Sequence, residues 1–130
     1  MRSHTPDYDA GMRVRREVLG DEHVDHANAG ITDVNRDFQE LITQYAWGGI
    51  WTREGLDRRS RSIVVLTALV AGGHFEELEF HLRAALTNGL TRDEIVEVLL
   101  QTAVYCGVPA ANSAFAVAKR VLSEDDAAGA

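Results

Sequence analysis

Glu97, Gln101 and Tyr105 recur every four residues through "EIVEVLLQTAVYC", a run that is otherwise apolar. At about 3.6 residues per helical turn they make one polar stripe, while Val96, Val98, Leu99, Leu100, Ala103 and Val104 cover most of the remaining circumference. Such a stripe faces a cavity, in which Glu97 could handle protons, or it closes into a satisfied internal network or a solvent-facing strip. A second group, in "HFEELEFHLRAALTNG", sets Glu77 and His81 four apart with His74 one turn behind, so all three can share a helical face. His81, between Phe80 and Leu82, is the better acid–base candidate. His74 suits a capping role, and a lone histidine is as readily a hydrogen-bonded structural side chain. Third, Arg58, Arg59 and Arg61 crowd the opening of "DRRSRSIVVLTALVAGG", with Arg53 just before it. Cations at a helix N-terminus oppose its dipole. Either a bound anion resolves that conflict through guanidinium and backbone N–H donors, or the arginines pair with surplus Asp and Glu.

Helices must position these groups. Prolines occur only at Pro6 and Pro109, and strand-like alternation is nowhere sustained, so the expected fold is all-α with six or so helices. A first helix runs from about Asp7 to Leu19 and ends at Gly20, and a polar connector, "DEHVDHANAGITDV", follows. Asn35 starts a second helix through Phe38, Leu41, Ile42 and Tyr45, which the paired glycines of "AWGGIWT" weaken. Asp57 is a suitable N-cap for the third, which ends at Gly72-Gly73. The fourth stops at Asn88-Gly89, and "TRDE" fits a capping box, Thr91 with Glu94, for a fifth helix reaching Cys106. Pro109 suits the first turn of a sixth, "PAANSAFAVAKRVLSE". The third helix is apolar nearly all round, and the sixth offers Ala110, Ala111, Ala114, Ala116 and Ala118 for close approach. Both features suggest burial on several sides, in a homo-oligomer or, with the same pattern, around a central helix of a compact monomer.

Composition narrows the function classes. With 130 residues, 45% of them hydrophobic and 25% charged, the chain reads as one globular domain over its whole length, its core from about Arg13 to Leu122. A formal charge of −7 disfavours nucleic acid and anionic lipid as partners. The longest apolar stretch, Ile63 to Ala71, is far short of the roughly 20 residues of a membrane span, and the charged N-terminus is no secretory signal. The single cysteine excludes an internal disulfide and a cysteine zinc cluster, so a reducing, cytoplasmic setting is expected. The pair His23 and His26 lacks a third ligand nearby, so no metal is expected, and no glycine loop suits a phosphate.

The blocks "RREVLGDEHVDHA", "YAWGGIWTREGLDRRSRS" and "HLRAALTNGLTRDEIVEVLLQTAVYCGVPAA" together resemble the carboxymuconolactone decarboxylase family. The last block is similar to the wider alkylhydroperoxidase D-like superfamily as well. The resemblance extends from about Arg13 to Leu122 and implies a compact ring-like homo-oligomer, trimer-based or hexameric, with the site between helices near a subunit boundary. Peroxidases of that superfamily carry two cysteines separated by two residues, where this chain has Ala103 and Cys106. A dithiol cycle needs both sulfurs, so Cys106 reads as a small hydrophobe.

The implied reaction is cofactor-free loss of carbon dioxide from gamma-carboxymuconolactone, a small dicarboxylate lactone of bacterial protocatechuate catabolism, to give beta-ketoadipate enol-lactone. The lactone is its own electron sink, and the dienolate left behind is protonated on carbon. By that resemblance and chemistry, His81 is the expected proton donor, oriented by Glu97. Arg58 or Arg61 clamps the substrate with Arg83 in reserve. Tyr105, with Gln101 on its stripe, or the indole N–H groups of Trp47 and Trp51 hydrogen-bond the dienolate or close the pocket. Two alternatives remain: a single-cysteine thiol peroxidase using Cys106, and a non-catalytic oligomeric module that holds an anion.

Overall fold

The computed structural model describes residues 4–129, with side chains over residues 7–124. Those residues form α1 (His4–Leu19), α2 (Asp21–Ala29), α3 (Arg36–Ile42), a π-helical segment (Thr43–Trp51), α4 (Arg58–Gly72), α5 (Phe75–Thr87), α6 (Arg92–Tyr105) and α7 (Val108–Gly129). The chain is all-α, as expected, in two compact units, Met1–Asp57 and Arg58–Ala130.

In the first unit, α1 lies against the π-helical segment at two glycines. A Cβ on Gly11 would overlap the Thr43 carbonyl oxygen, and one on Gly48 would overlap the Asp7 carbonyl oxygen. Gly48, the first of the paired glycines, therefore serves close backbone approach, and the helix continues through the pair in a widened form rather than ending. Its i→i+5 bonding gives more residues per turn than an α-helix, which keeps positions four apart nearly in line. Thr43, Trp47 and Trp51 are accordingly all buried. The expected connector after Gly20 is instead α2. Asp21 and Glu22 in its first turn favour the helix dipole, and Arg16 of α1 pairs with Asp21 at 3.0 Å and Asp25 at 2.8 Å. Val24 is its one fully buried side chain among the described residues, so no apolar period announces this helix.

The second unit is built on Leu66 and Val70 of α4, Leu78 and Leu82 of α5, Ile95 and Leu99 of α6, and Ala114, Ala118 and Val121 of α7. Each fully buried Leu or Ile contributes about 1.5–3 kcal/mol relative to exposure. Glycines mark the breaks: Gly89 and Gly107 take φ of 100° and 97°, values that side chains with a Cβ resist. Pro109 stands in the first turn of α7, as the sequence indicates. The third predicted helix, now α4, departs from expectation. Within the chain it buries the stripe Ser62, Leu66 and Val70, while Val64 on another side is 59% exposed.

Candidate active site

A capping box starts α6. The Thr91 hydroxyl accepts from the Glu94 backbone N–H at 3.1 Å, and the Glu94 carboxylate accepts from the Thr91 N–H at 2.9 Å. The same carboxylate takes both ends of the Arg59 guanidinium, one at 2.9 Å, which ties α4 to α6. The Thr91 N–H first, then Arg59, holds the Glu94 carboxyl below the usual carboxylate range. Arg59 is thus matched by a carboxylate rather than left for an anion.

Downstream of this tie, Glu97, Gln101 and Tyr105 are all exposed, so the polar stripe inferred from spacing is present. Gln101 and Tyr105 line a cleft of about 170 Å³ between α4 and α6, with Ile63, Thr67, Val98 and Thr102. Drug-sized pockets run to roughly 300–1,000 Å³, so this cleft suits a small molecule. The Thr102 hydroxyl donates to the Leu99 carbonyl at 2.6 Å, leaving the Gln101 amide and the Thr67 and Tyr105 hydroxyls as the polar groups for a guest. Glu97 stands one turn before Gln101 and is not among the lining residues.

His81 is half-buried on α5 with its ring tilted against Phe80, centroids 4.9 Å apart. It is not part of the α4–α6 lining. His74 does occupy the N-cap of α5, yet it caps through its backbone: its carbonyl accepts from the Leu78 N–H at 3.0 Å, with no side-chain cap bond. Arg58 and Arg61 are half-buried in the first turn of α4. Arg83 is exposed, and its guanidinium spans Glu124 at 2.8 Å and Glu79 at 3.6 Å. Cys106 is half-buried, packed against the core and closing α6 with its N–H on the Thr102 carbonyl at 2.7 Å. No three of His, Cys, Asp and Glu converge as metal ligands among the described residues.

In the first unit, Trp47 and Trp51 are 6% and 9% exposed and stack at 5.0 Å between ring centroids. In the same unit, on α1, is a residue the spacing arguments passed over. Arg15 is 5% exposed, the one buried charged side chain among the described residues. Its Nη1 donates to the Thr43 hydroxyl at 3.1 Å and its Nη2 to the Gln39 amide oxygen at 3.3 Å. A signal for it existed. Gly11, Val14 and Val18 trace the buried face of α1, and Arg15 sits within that face.

Comparison with known proteins places this geometry in context. The family model described as "Carboxymuconolactone decarboxylase family" matches residues 36–120. A 4-carboxymuconolactone decarboxylase of Acinetobacter baylyi is 44% identical over 90% of this chain and 87% of that relative. The nitrosuccinic acid decarboxylase of Metarhizium robertsii is 42% identical over 90% of this chain and 82% of its own. A 4-carboxymuconolactone decarboxylase of Pseudomonas putida is 58% identical over 32% of this chain and 85% of its own.

Proposed function

The chain belongs to the carboxymuconolactone decarboxylase family and is a decarboxylase of a small carboxylated compound; within that family, we propose that its substrate is 4-carboxymuconolactone and its product beta-ketoadipate enol-lactone. The observation that carries this reading is the 44% identity across 90% of the chain to a relative bearing that name. The chemistry is consistent with it. The bond to the departing carboxylate breaks, its electron pair moves through the ring double bond onto the lactone carbonyl oxygen, and the dienolate takes a proton on the carbon next to the carbonyl. Nothing beyond the protein's own donors is required by that sequence. The reaction needs charge stabilised at oxygen and a proton delivered to carbon.

By the family resemblance and the chemistry, His81 supplies the proton and Glu97 orients it, although neither lines the α4–α6 cleft. Tyr105 and Gln101 of the α4–α6 cleft donate to the developing oxyanion, and Arg58 and Arg61 hold substrate carboxylate by bidentate pairing. Arg83 remains in reserve, because its ion pairs with Glu79 and Glu124 must open first. The reading extends to a homo-oligomer, trimer-based or hexameric, in a reducing cytoplasmic setting. Exposed apolar side chains support the oligomer: Leu100 and Val104, four apart on α6, are 50% and 76% exposed.

A second substrate has a specific observation behind it, the 42% identity to a nitrosuccinic acid decarboxylase. Nitrosuccinate carries a carboxylate on its nitro-bearing carbon, so carbon dioxide loss leaves a nitronate. Both reactions move an electron pair onto an oxygen-based sink, and one site could serve either. Purified protein offered each compound separately decides between them. The expected result is carbon dioxide release with 4-carboxymuconolactone at a kcat/KM at least a hundredfold above that for nitrosuccinate. The reverse preference would assign the second substrate, and turnover of neither would remove both.

A further inference from the structure

The guanidinium of Arg15 is taken out of water, and among the described residues it donates only to neutral acceptors. These two acceptors, the Thr43 hydroxyl and the Gln39 amide oxygen, carry no charge, and its Nε is buried with no hydrogen-bond partner among the described residues. Burial lowers its pKa from the ordinary guanidinium value, with the neighbouring Tyr8 opposing, yet arginine stays protonated throughout the working range. A buried cation lacking a carboxylate is costly, and an orphaned donor on it adds to that cost.

The disposition of the vacant donor is specific. Nε and Nη2 form the side of a guanidinium that receives a carboxylate bidentately, and here that edge has one empty donor and one long bond of 3.3 Å. The group on the long bond, the Gln39 amide, is half-buried, whereas Thr43 on Nη1 is fully buried. The outer partner is therefore the replaceable one. Gln39 and Thr43 are four apart across the junction of α3 and the π-helical segment, and the Thr43 hydroxyl also donates to the Gln39 carbonyl at 2.8 Å, which fixes the inner side. Gly11, one turn before Arg15, brings α1 close enough for the side chain to lie between the two elements.

We propose that the Nε–Nη2 edge of Arg15 is a binding seat for a small carboxylate, occupied in its absence by the neutral Gln39 amide, which the ligand displaces. The ligand's two oxygens then take Nε and Nη2, while Nη1 stays on Thr43. The seat lies wholly within Met1–Asp57 and does not depend on which compound the enzyme decarboxylates. Its carboxylate comes either from the substrate or from a separate anionic effector.

Succinate is a suitable probe, titrated calorimetrically into wild-type protein, Arg15→Met and Gln39→Glu. Methionine fills the buried volume without charge, and glutamate supplies an internal carboxylate to the same edge. Succinate should bind the wild type and lose affinity by about tenfold or more in both variants, as expected for loss of hydrogen bonds to a charged group. Gln39→Glu should also raise the melting temperature, because the buried cation gains its counter-charge. Should Arg15→Met fail to fold, Gln39→Glu carries the test, since it retains Arg15. Unchanged succinate affinity in Gln39→Glu, or no binding to the wild type at millimolar concentration, overturns the proposal. Competition separates the sources. Succinate that raises KM for 4-carboxymuconolactone without altering kcat marks a substrate seat, and succinate that alters kcat alone marks an effector seat. A wild type that turns over no lactone while succinate affinity still falls in the variants would remove the proposed substrate and leave the seat standing.

Discussion

His81 is a half-buried imidazole with one face against Phe80, on a helix whose Leu78 and Leu82 are fully buried. A ring so confined has few rotamers, and a fixed ring is what directional protonation of a dienolate carbon asks for. His81→Ala should lower kcat by about a hundredfold or more with a smaller effect on KM. Arg61→Met should instead act mainly on KM. Steady-state kinetics on folded variants checks both, and near-wild-type constants in each would relocate the site. The stripe Glu97, Gln101 and Tyr105 was legible because helical spacing fixes which side chains share a face. Arg15 was not, since a charge in the run Arg13-Val14-Arg15-Arg16-Glu17 looks like a surface residue until the glycine contact that buries it is known.

Among the elements, α6 was the easiest to read and α2 the hardest. A capping box is a local device, written in four consecutive residues, and it appears in the structure as the sequence specifies. By contrast α2 rests on end charges, its tether to Arg16 and one buried valine, none of which makes a hydrophobic period. The π-helical segment was hidden for another reason: its Gly48 answers to Asp7 of α1, a contact its own chain neighbours do not announce.

Electrostatics between elements yields a pH prediction. Glu79 of α5 accepts from Arg120 of α7 and lies 3.6 Å from Arg83, and these cations, Arg120 foremost, hold its carboxyl below the ordinary 4.5. The folded state therefore binds this proton less tightly than the unfolded chain. Its contribution is complete above the unfolded value and is lost as pH falls below 4.5 and through the lower folded value. Glu79→Gln should lower the melting temperature slightly near pH 7, where the contribution is complete, and converge with the wild type in acid, so that the acid limb flattens. These groups are exposed, so the effect is small and shrinks in salt. An unchanged acid limb would show that the α5–α7 ion pairs contribute nothing.

For the molecule as a whole, the family was recognisable from three sequence blocks, and the match over residues 36–120 bears that out. Association was suggested by the apolar circumference of the third predicted helix. In the structure α4 leaves Val64 exposed and α6 leaves Leu100 and Val104 exposed, surfaces a lone chain has reason to cover. Sedimentation velocity should find a trimer or hexamer for the wild type and a smaller species for Val104→Asp; a monomeric wild type would refute the oligomer. The central claim, decarboxylation through a dienolate without a cofactor, is tested most directly in deuterium oxide. Protein dialysed against chelator is given 4-carboxymuconolactone, and the product is followed by proton NMR. The account predicts one carbon dioxide per enol-lactone and a single deuterium on the carbon beside the lactone carbonyl. Lactone consumed without carbon dioxide, or activity that returns only with an added metal or cofactor, would contradict it.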